Sequence, residues 1–158
     1  MVASWDQSQI ESLLDIHGEM LFVQAIDSEE QVPGGVTPFN STSRFEKNFF
    51  AFRDHLSRNG TVSGPLPGVF LMECMAQTAA FGLTVSFPNW TFLVSHFNVA
   101  LIKPVVPGII TSSCKVPTVW SSSERMIKVT VTSWQDGSIV GRGDLSYSKI
   151  PDLALENP

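Results

Sequence analysis

The chain has 158 residues, enough for one domain (1–158) whose core needs neither disulfides nor metal to hold it. Hydrophobic residues make up 43% and charged ones only 16%, which excludes disorder and points to apolar surface buried against another subunit. Ten basic against 15 acidic residues leave no electrostatic footprint for nucleic acid or an anionic membrane, so a small molecule or a protein is the expected partner.

In chain order, Ile10, Leu13 and Leu14 recur at helical spacing and predict a short helix within residues 1–18, ending near His17-Gly18. Asp6, Gln7, Gln9 and Glu11 fit neither a signal peptide nor a transit peptide, and no apolar run is read as long enough to span a membrane. The expected location is the cytoplasm, which makes the sequons at Asn40, Asn59 and Asn89 accidental matches. Met20 to Ile26 is a compact apolar run read as a strand, Pro33-Gly34-Gly35 marks a turn, and Phe39 to Phe50 predicts a second strand entering a loop. That loop, Ala51 to Gly64, carries Arg53, Asp54, His55, Arg58 and Asn59, and long irregular connections inside compact domains tend to be functional.

A helix is expected over 65–86, stopped by Phe87-Pro88-Asn89. The remainder reads as strands: Phe92 to Ile102, Ile109 to Trp120 after a Pro104–Gly108 turn, and a pair joined by the hairpin signal Asp136-Gly137. In that pair Ile127, Val129 and Val131 alternate with Lys128, Thr130 and Thr132, and Ile139 to Tyr147 returns as the partner. Residues 150–158 read as a flexible tail. The layout is α+β, an antiparallel sheet wrapped around one long helix.

Between Val69 and Val85 only Glu73 and Cys74 can ionise, so the helix is apolar almost all round and would carry Glu73 inside. An unpaired buried carboxylate is costly; such a group shifts its pKa or finds a partner, and both outcomes are typical of a proton-transfer site. At 100° per residue Glu73, Gln77, Ala80 and Thr84 share one stripe, and Leu71, Met75, Thr78 and Gly82 the opposite one. The second stripe suits the sheet. On the first, Gln77 can hydrogen-bond Glu73 and hold its rotamer, while the free first-turn amides behind Pro67-Gly68 suit an oxyanion. The alternative role for Glu73 is an ion pair holding a subunit interface. His17 and His96 read as structural. His55, on the polar loop, suits proton transfer near neutral pH or simple solvation. Cys74 and Cys114 lack metal-like spacing and read as reduced, buried thiols.

The run Leu66-Pro67-Gly68-Val69-Phe70-Leu71-Met72-Glu73-Cys74-Met75-Ala76-Gln77 resembles, without gaps, the helix motif of the β-hydroxyacyl-acyl carrier protein dehydratases of FabZ type, which have the hotdog fold. Leu21-Phe22-Val23, Asn48-Phe49-Phe50 and Lys103-Pro104-Val105-Val106-Pro107-Gly108 are similar to further family segments, in the same order. Glutamate at position 73 is similar to the FabZ branch rather than to FabA-like dehydratase-isomerases. The likeness spans roughly residues 10–150. His55 lies five residues after Phe50 and thirteen before Gly68, in a longer loop than the family pattern has, with Arg53 and Asn59 at the family's own histidine spacings.

The resemblance implies a homodimer, or an oligomer of such dimers, with each site at the subunit interface. It implies a 3-hydroxyacyl thioester carried on the phosphopantetheine of acyl carrier protein, in fatty-acid or polyketide biosynthesis, with no metal or nucleotide cofactor. His55 would remove the proton next to the carbonyl, Glu73 would assist departure of the hydroxyl, the Gly68 amide would bind the oxyanion and Gln77 would support Glu73. Phe49, Phe50, Phe70 and Phe81 would line the substrate tunnel, and Arg53, Arg58 or Lys103 would dock the acidic carrier protein. Two alternatives share the fold: an acyl-thioester hydrolase in which Glu73 activates water, and a degenerate subunit that binds acyl carrier protein or a partner without catalysis.

Overall fold

The computed structural model describes residues 3–30, 33–53, 65–121 and 123–151. The apolar run after Pro67 forms the central helix, α3 (Gly68–Ser86), behind α1 (Gln7–Leu14) and the single turn α2 (Phe50–Arg53). Residues 65–67 lie outside α3, because proline at Pro67 fixes its own φ at −54° and holds the preceding residue extended. Phe87 closes the helix by donating its N–H to the Leu83 carbonyl, and Pro88 prevents continuation.

Seven strands form one antiparallel sheet around α3: β1 (Ala3–Asp6), β2 (Ala25–Ser28), β3 (Val36–Phe45), β4 (Trp90–Leu101), β5 (Gly108–Pro117), β6 (Met126–Gln135) and β7 (Ser138–Pro151). Their order is β1-β2-β3-β5-β6-β7-β4, so β4 lies at an edge although it follows the helix directly. The β6–β7 turn is where the sequence puts it. Asp136 and Gly137 have φ of 49° and 72°, the left-handed pair of a two-residue hairpin. Ile127, Val129 and Val131 face inward, joined from β7 by Leu145 and Tyr147.

The stripe Leu71, Met75, Thr78 and Gly82 lies on the sheet, as its apolar and small residues require. Thr78 and Ser41 share a hydrogen bond of 2.6 Å, and a Cβ added at Gly82 would come within 2.8 Å of Phe39 and 2.9 Å of Val116. By length (19 residues) and mean hydropathy (1.3), α3 does match a membrane span, contrary to the sequence reading; 56% of that stretch is buried inside the fold, which accounts for its composition.

Several boundaries differ from expectation. Ala3–Asp6 is a strand, not part of the first helix; Trp5 packs edge-on to Phe81 at 5.1 Å between ring centroids. Asp6 then opens α1 by a reciprocal cap with Gln9, and left-handed Asp15 ends it before His17. Met20–Ile26 is not one strand: Gly18–Met20 makes a 3-10 turn and β2 starts at Ala25. The loop predicted from Ala51 begins with helical Ala51–Arg53, β5 stops at Pro117, and β7 extends into the predicted tail as far as Pro151.

Candidate active site

Glu73 projects from the side of α3 that the sheet leaves uncovered. It is half-buried in the protomer, not sequestered as its apolar neighbours in sequence suggested. Among the described residues its carboxyl has one hydrogen-bond partner, the Gln77 Nε2 at 2.9 Å, and no basic side chain pairs with it. The ion-pair alternative therefore finds no partner within the described protomer.

Gln77 does more than the sequence suggested. Its side chain is 1% exposed, and its Nε2 donates to the Met20 carbonyl (2.6 Å) as well as to Glu73. Its Oε1 accepts from the Phe22 N–H (2.9 Å) and the Val23 N–H (3.3 Å). One amide thus satisfies the irregular segment before β2 and aims the carboxyl beside it. That tie brings Met20 and Phe22 to the Glu73 face.

Glu73 lies where two cavities meet. One, of about 340 Å³, is lined by Glu19, Met20, Phe22, Phe50, Val69, Phe70 and Glu73. The other, of about 160 Å³, extends toward β4 and β7 and includes Ala76, Phe92, Val94, Phe97 and Tyr147. Tyr147 is the chain's only tyrosine. Its hydroxyl donates to the Ala76 carbonyl at 2.8 Å, and burial pushes the phenol well above its ordinary range. It is a fixed neutral wall of the site. Its place among inward residues of β7, two after Leu145, is the signal that sequence reading passed over.

The remaining candidates fall differently. Phe50 and Phe70 line the larger cavity, and Phe49 packs behind them with ring centroids 4.6 Å and 5.4 Å away. Phe81 is fully buried against Trp5 and Phe39 and lines neither cavity beside Glu73, so it belongs to the core and not to a substrate wall. Gly68 lines a separate cavity of about 260 Å³ with Leu101, whose side chain occupies the space an added Cβ would need. The lack of a side chain at Gly68 therefore admits Leu101, not an open approach for ligand. His55 lies outside the described residues, as do Arg58 and Asn59; Arg53 is helical. His17 bonds Glu11 and Asp15 at the surface, and His96 is exposed beside the irregularity in β4, so neither reaches Glu73. Burial pushes both cysteine thiols up to about 12, which keeps them protonated and inert.

The fold superposes on several solved structures. A hot-dog-like protein from Thermanaerovibrio acidaminovorans superposes with a TM-score of 0.60 at 16% identity, covering 78% of this chain and 87% of its own. The fold is a hotdog fold. A thioesterase superfamily member from Thermus thermophilus matches the hotdog core with a TM-score of 0.59 at 11% identity, covering 81% and 90% of the two chains. A variant of the fluoroacetyl-CoA-specific thioesterase FlK, solved with fluoroacetate and CoA, gives 0.58 at 13% identity, covering 75% and 96%. No protein-family model matches the sequence, and no curated protein matches it in sequence. At these identities the likeness establishes the architecture, and the chemistry has to come from the side chains.

Proposed function

We propose that the chain is an acyl-thioester enzyme whose acid–base group is Glu73, and that hydrolysis is its reaction. The observation that carries this reading is the Glu73 carboxyl itself, aimed by Gln77 and opening onto a cavity walled by Phe22, Phe50 and Phe70. Of the proteins it resembles in fold, one is named as a thioesterase and another as a thioesterase superfamily member, which supports the same class.

In this reading the thioester carbonyl lies beside Glu73 with its acyl group among the aromatic rings. Ionised Glu73 takes a proton from water as the oxygen attacks the carbonyl carbon. The Val69 N–H, in the first turn of α3 and beside the larger cavity, holds the developing oxyanion. Collapse of the tetrahedral intermediate breaks the carbon–sulfur bond, and the proton on Glu73 passes to the departing thiolate. The steps need no metal or nucleotide cofactor, and the thiol would be the phosphopantetheine arm of a carrier protein or of coenzyme A. The working unit is a cytoplasmic homodimer. Edge strand β4 presents Leu93 and Leu101, each about half exposed, next to an unpaired row of backbone groups, and a second copy would cover both.

Dehydration of a 3-hydroxyacyl thioester is the second reading, favoured by the Pro67-Gly68, Glu73 and Gln77 spacing on α3. It asks for protonated Glu73 and a separate base, the role for which His55 is nominated. Incubation with a saturated acyl thioester and with its 3-hydroxy counterpart separates the readings. Thiol release from both is the expected result. Enoyl formation without thiol release would replace hydrolysis by dehydration, and neither product would leave a non-catalytic binding subunit.

A further inference from the structure

We propose that residues 16–20 form a movable arm across Glu73, held shut by Gln77, and that Glu73 sets how firmly it is held. The proposal concerns access to the carboxyl and stands whichever reaction Glu73 serves.

The arm leaves α1 and passes from one cavity at Glu73 to the other. Ile16 lines the smaller cavity, and Glu19 and Met20 line the larger. Its own hold on the protein is slight. The 3-10 turn Gly18–Met20 buries none of its residues, and Met20 is 61% exposed. Two left-handed residues, Asp15 (φ 52°) and Gly18 (φ 65°), set the bends of the arm. The hydrogen bonds at this end lie at the surface: His17 with Glu11 (3.3 Å) and Asp15 (3.2 Å), and the Gly18 N–H to the Glu11 carboxyl (3.3 Å). Exposed contacts of this kind contribute little, and segments with few buried apolar contacts are those that open most readily. Beyond the arm the chain changes character, because Leu21, Phe22 and Val23 are buried and anchor its far end.

Gln77 is the latch. Among the described residues, the hydrogen bonds between residues 16–23 and α3 are all made by its side chain. The Met20 carbonyl and the Glu73 carboxylate both require a donor, so Nε2 faces them, and Oε1 is left for the Phe22 and Val23 N–H groups. Both N–H donors and both lone pairs of the amide are then in use. A bond to an ionised carboxylate is stronger than one to a neutral acceptor, so ionised Glu73 holds the amide in the orientation that grips Met20. When Glu73 takes up a proton or turns to a ligand, that support is lost and the arm is freed. Glu19 on the arm and Tyr147 of β7 are the other titratable groups lining the two cavities, and neither bonds Gln77. The latch therefore follows the state of Glu73.

The test is amide hydrogen exchange in the full-length protein without ligand, followed as urea is raised below the unfolding transition. The Leu21 N–H closes the 3-10 turn onto the Gly18 carbonyl, and the Phe22 N–H donates to Gln77, so these two amides read the arm and its latch. Val131 and Leu145, on strands paired on both sides, read global unfolding. Local opening exposes little surface and depends little on urea, whereas global unfolding depends on it steeply. Leu21 and Phe22 should exchange through a urea-insensitive opening. Glu73→Gln, which keeps the shape and removes the charge, should speed that opening about fivefold. Gln77→Leu should speed it further, and Glu73→Gln added to Gln77→Leu should then change nothing. The proposal is overturned if Leu21 and Phe22 share the steep urea dependence of Val131 and Leu145. It is equally overturned if Glu73→Gln leaves their exchange unchanged, or if its effect persists in full without Gln77. No substrate enters this measurement, so its failure is distinct from failure of the acyl-thioester reading, which thiol release tests.

Discussion

The two sides of α3 differ in how completely they are filled. On the sheet side Leu71 sits over Gly141, Thr78 bonds Ser41, and Gly82 touches Phe39 and Val116, with no room for an extra methyl group at either glycine. On the other side Glu73, Ala80 and Thr84 are only half-buried, and cavities remain on both flanks of the carboxyl. Close packing is worth several kcal/mol to a small domain, so the unfilled side gives up stability that the chain could have had. Only Gln77 on that side is fully engaged, and its bonds serve the carboxyl and the segment leading into β2. The contrast separates residues that hold the fold from residues that face a ligand.

Mutations should respect that division. The largest loss of stability is expected at the closed side. Gly82→Val would force its Cβ to within 3 Å of both Phe39 and Val116, and overpacking of this kind costs about 3 kcal/mol, read as a fall in the urea midpoint. A midpoint equal to that of the wild type would show that the sheet side has slack. Gln77→Leu comes next. It strips partners from the Phe22 and Val23 N–H groups and from the Met20 carbonyl, costing about 2 kcal/mol. It should also lower activity further than the stability loss explains, because Glu73 is no longer aimed; full turnover in folded Gln77→Leu would separate the two roles.

The smallest effect lies away from the helix. The Gln9 backbone N–H, and then the Ser8 hydroxyl, hold the Asp6 carboxyl below its usual range, so Asp6 stabilises the fold while ionised. That contribution is complete above the ordinary carboxylate pKa and is lost as pH falls through the lowered value in the folded chain. Asp6→Ala should therefore melt slightly below the wild type at neutral pH and together with it in strong acid. A gap of the same size at both pH values would show that the cap does not act through its charge.

Much of this arrangement was legible in the residues, and the reasons for the rest are physical. The run from Val69 to Val85 announced a buried helix, Asp136-Gly137 a hairpin, and Ile127, Val129 and Val131 an inward face. Strand β3 hid its alternation because three of its inward residues are Thr37, Ser41 and Ser43, small polar side chains that let α3 lie close. The same holds for Ser112 of β5, which bonds Ser133 of β6 at 2.7 Å beneath the helix. At the site, the motif identified Glu73 and Gln77 as neighbours one turn apart. It could not show that Gln77 also reaches back more than fifty residues to Met20, Phe22 and Val23, nor that Leu101 fills the space at Gly68. Those contacts depend on how the chain closes over the helix, which no local pattern records.

The central claim is that Glu73 moves the proton in a thioester reaction. The direct test is thiol release from acyl thioesters by Glu73→Gln beside the wild type, with both melting curves recorded. The substitution keeps size and shape but removes the base, so kcat/KM should fall by about 10²–10⁴ while the melting temperature holds. Wild-type turnover in folded Glu73→Gln would contradict the account.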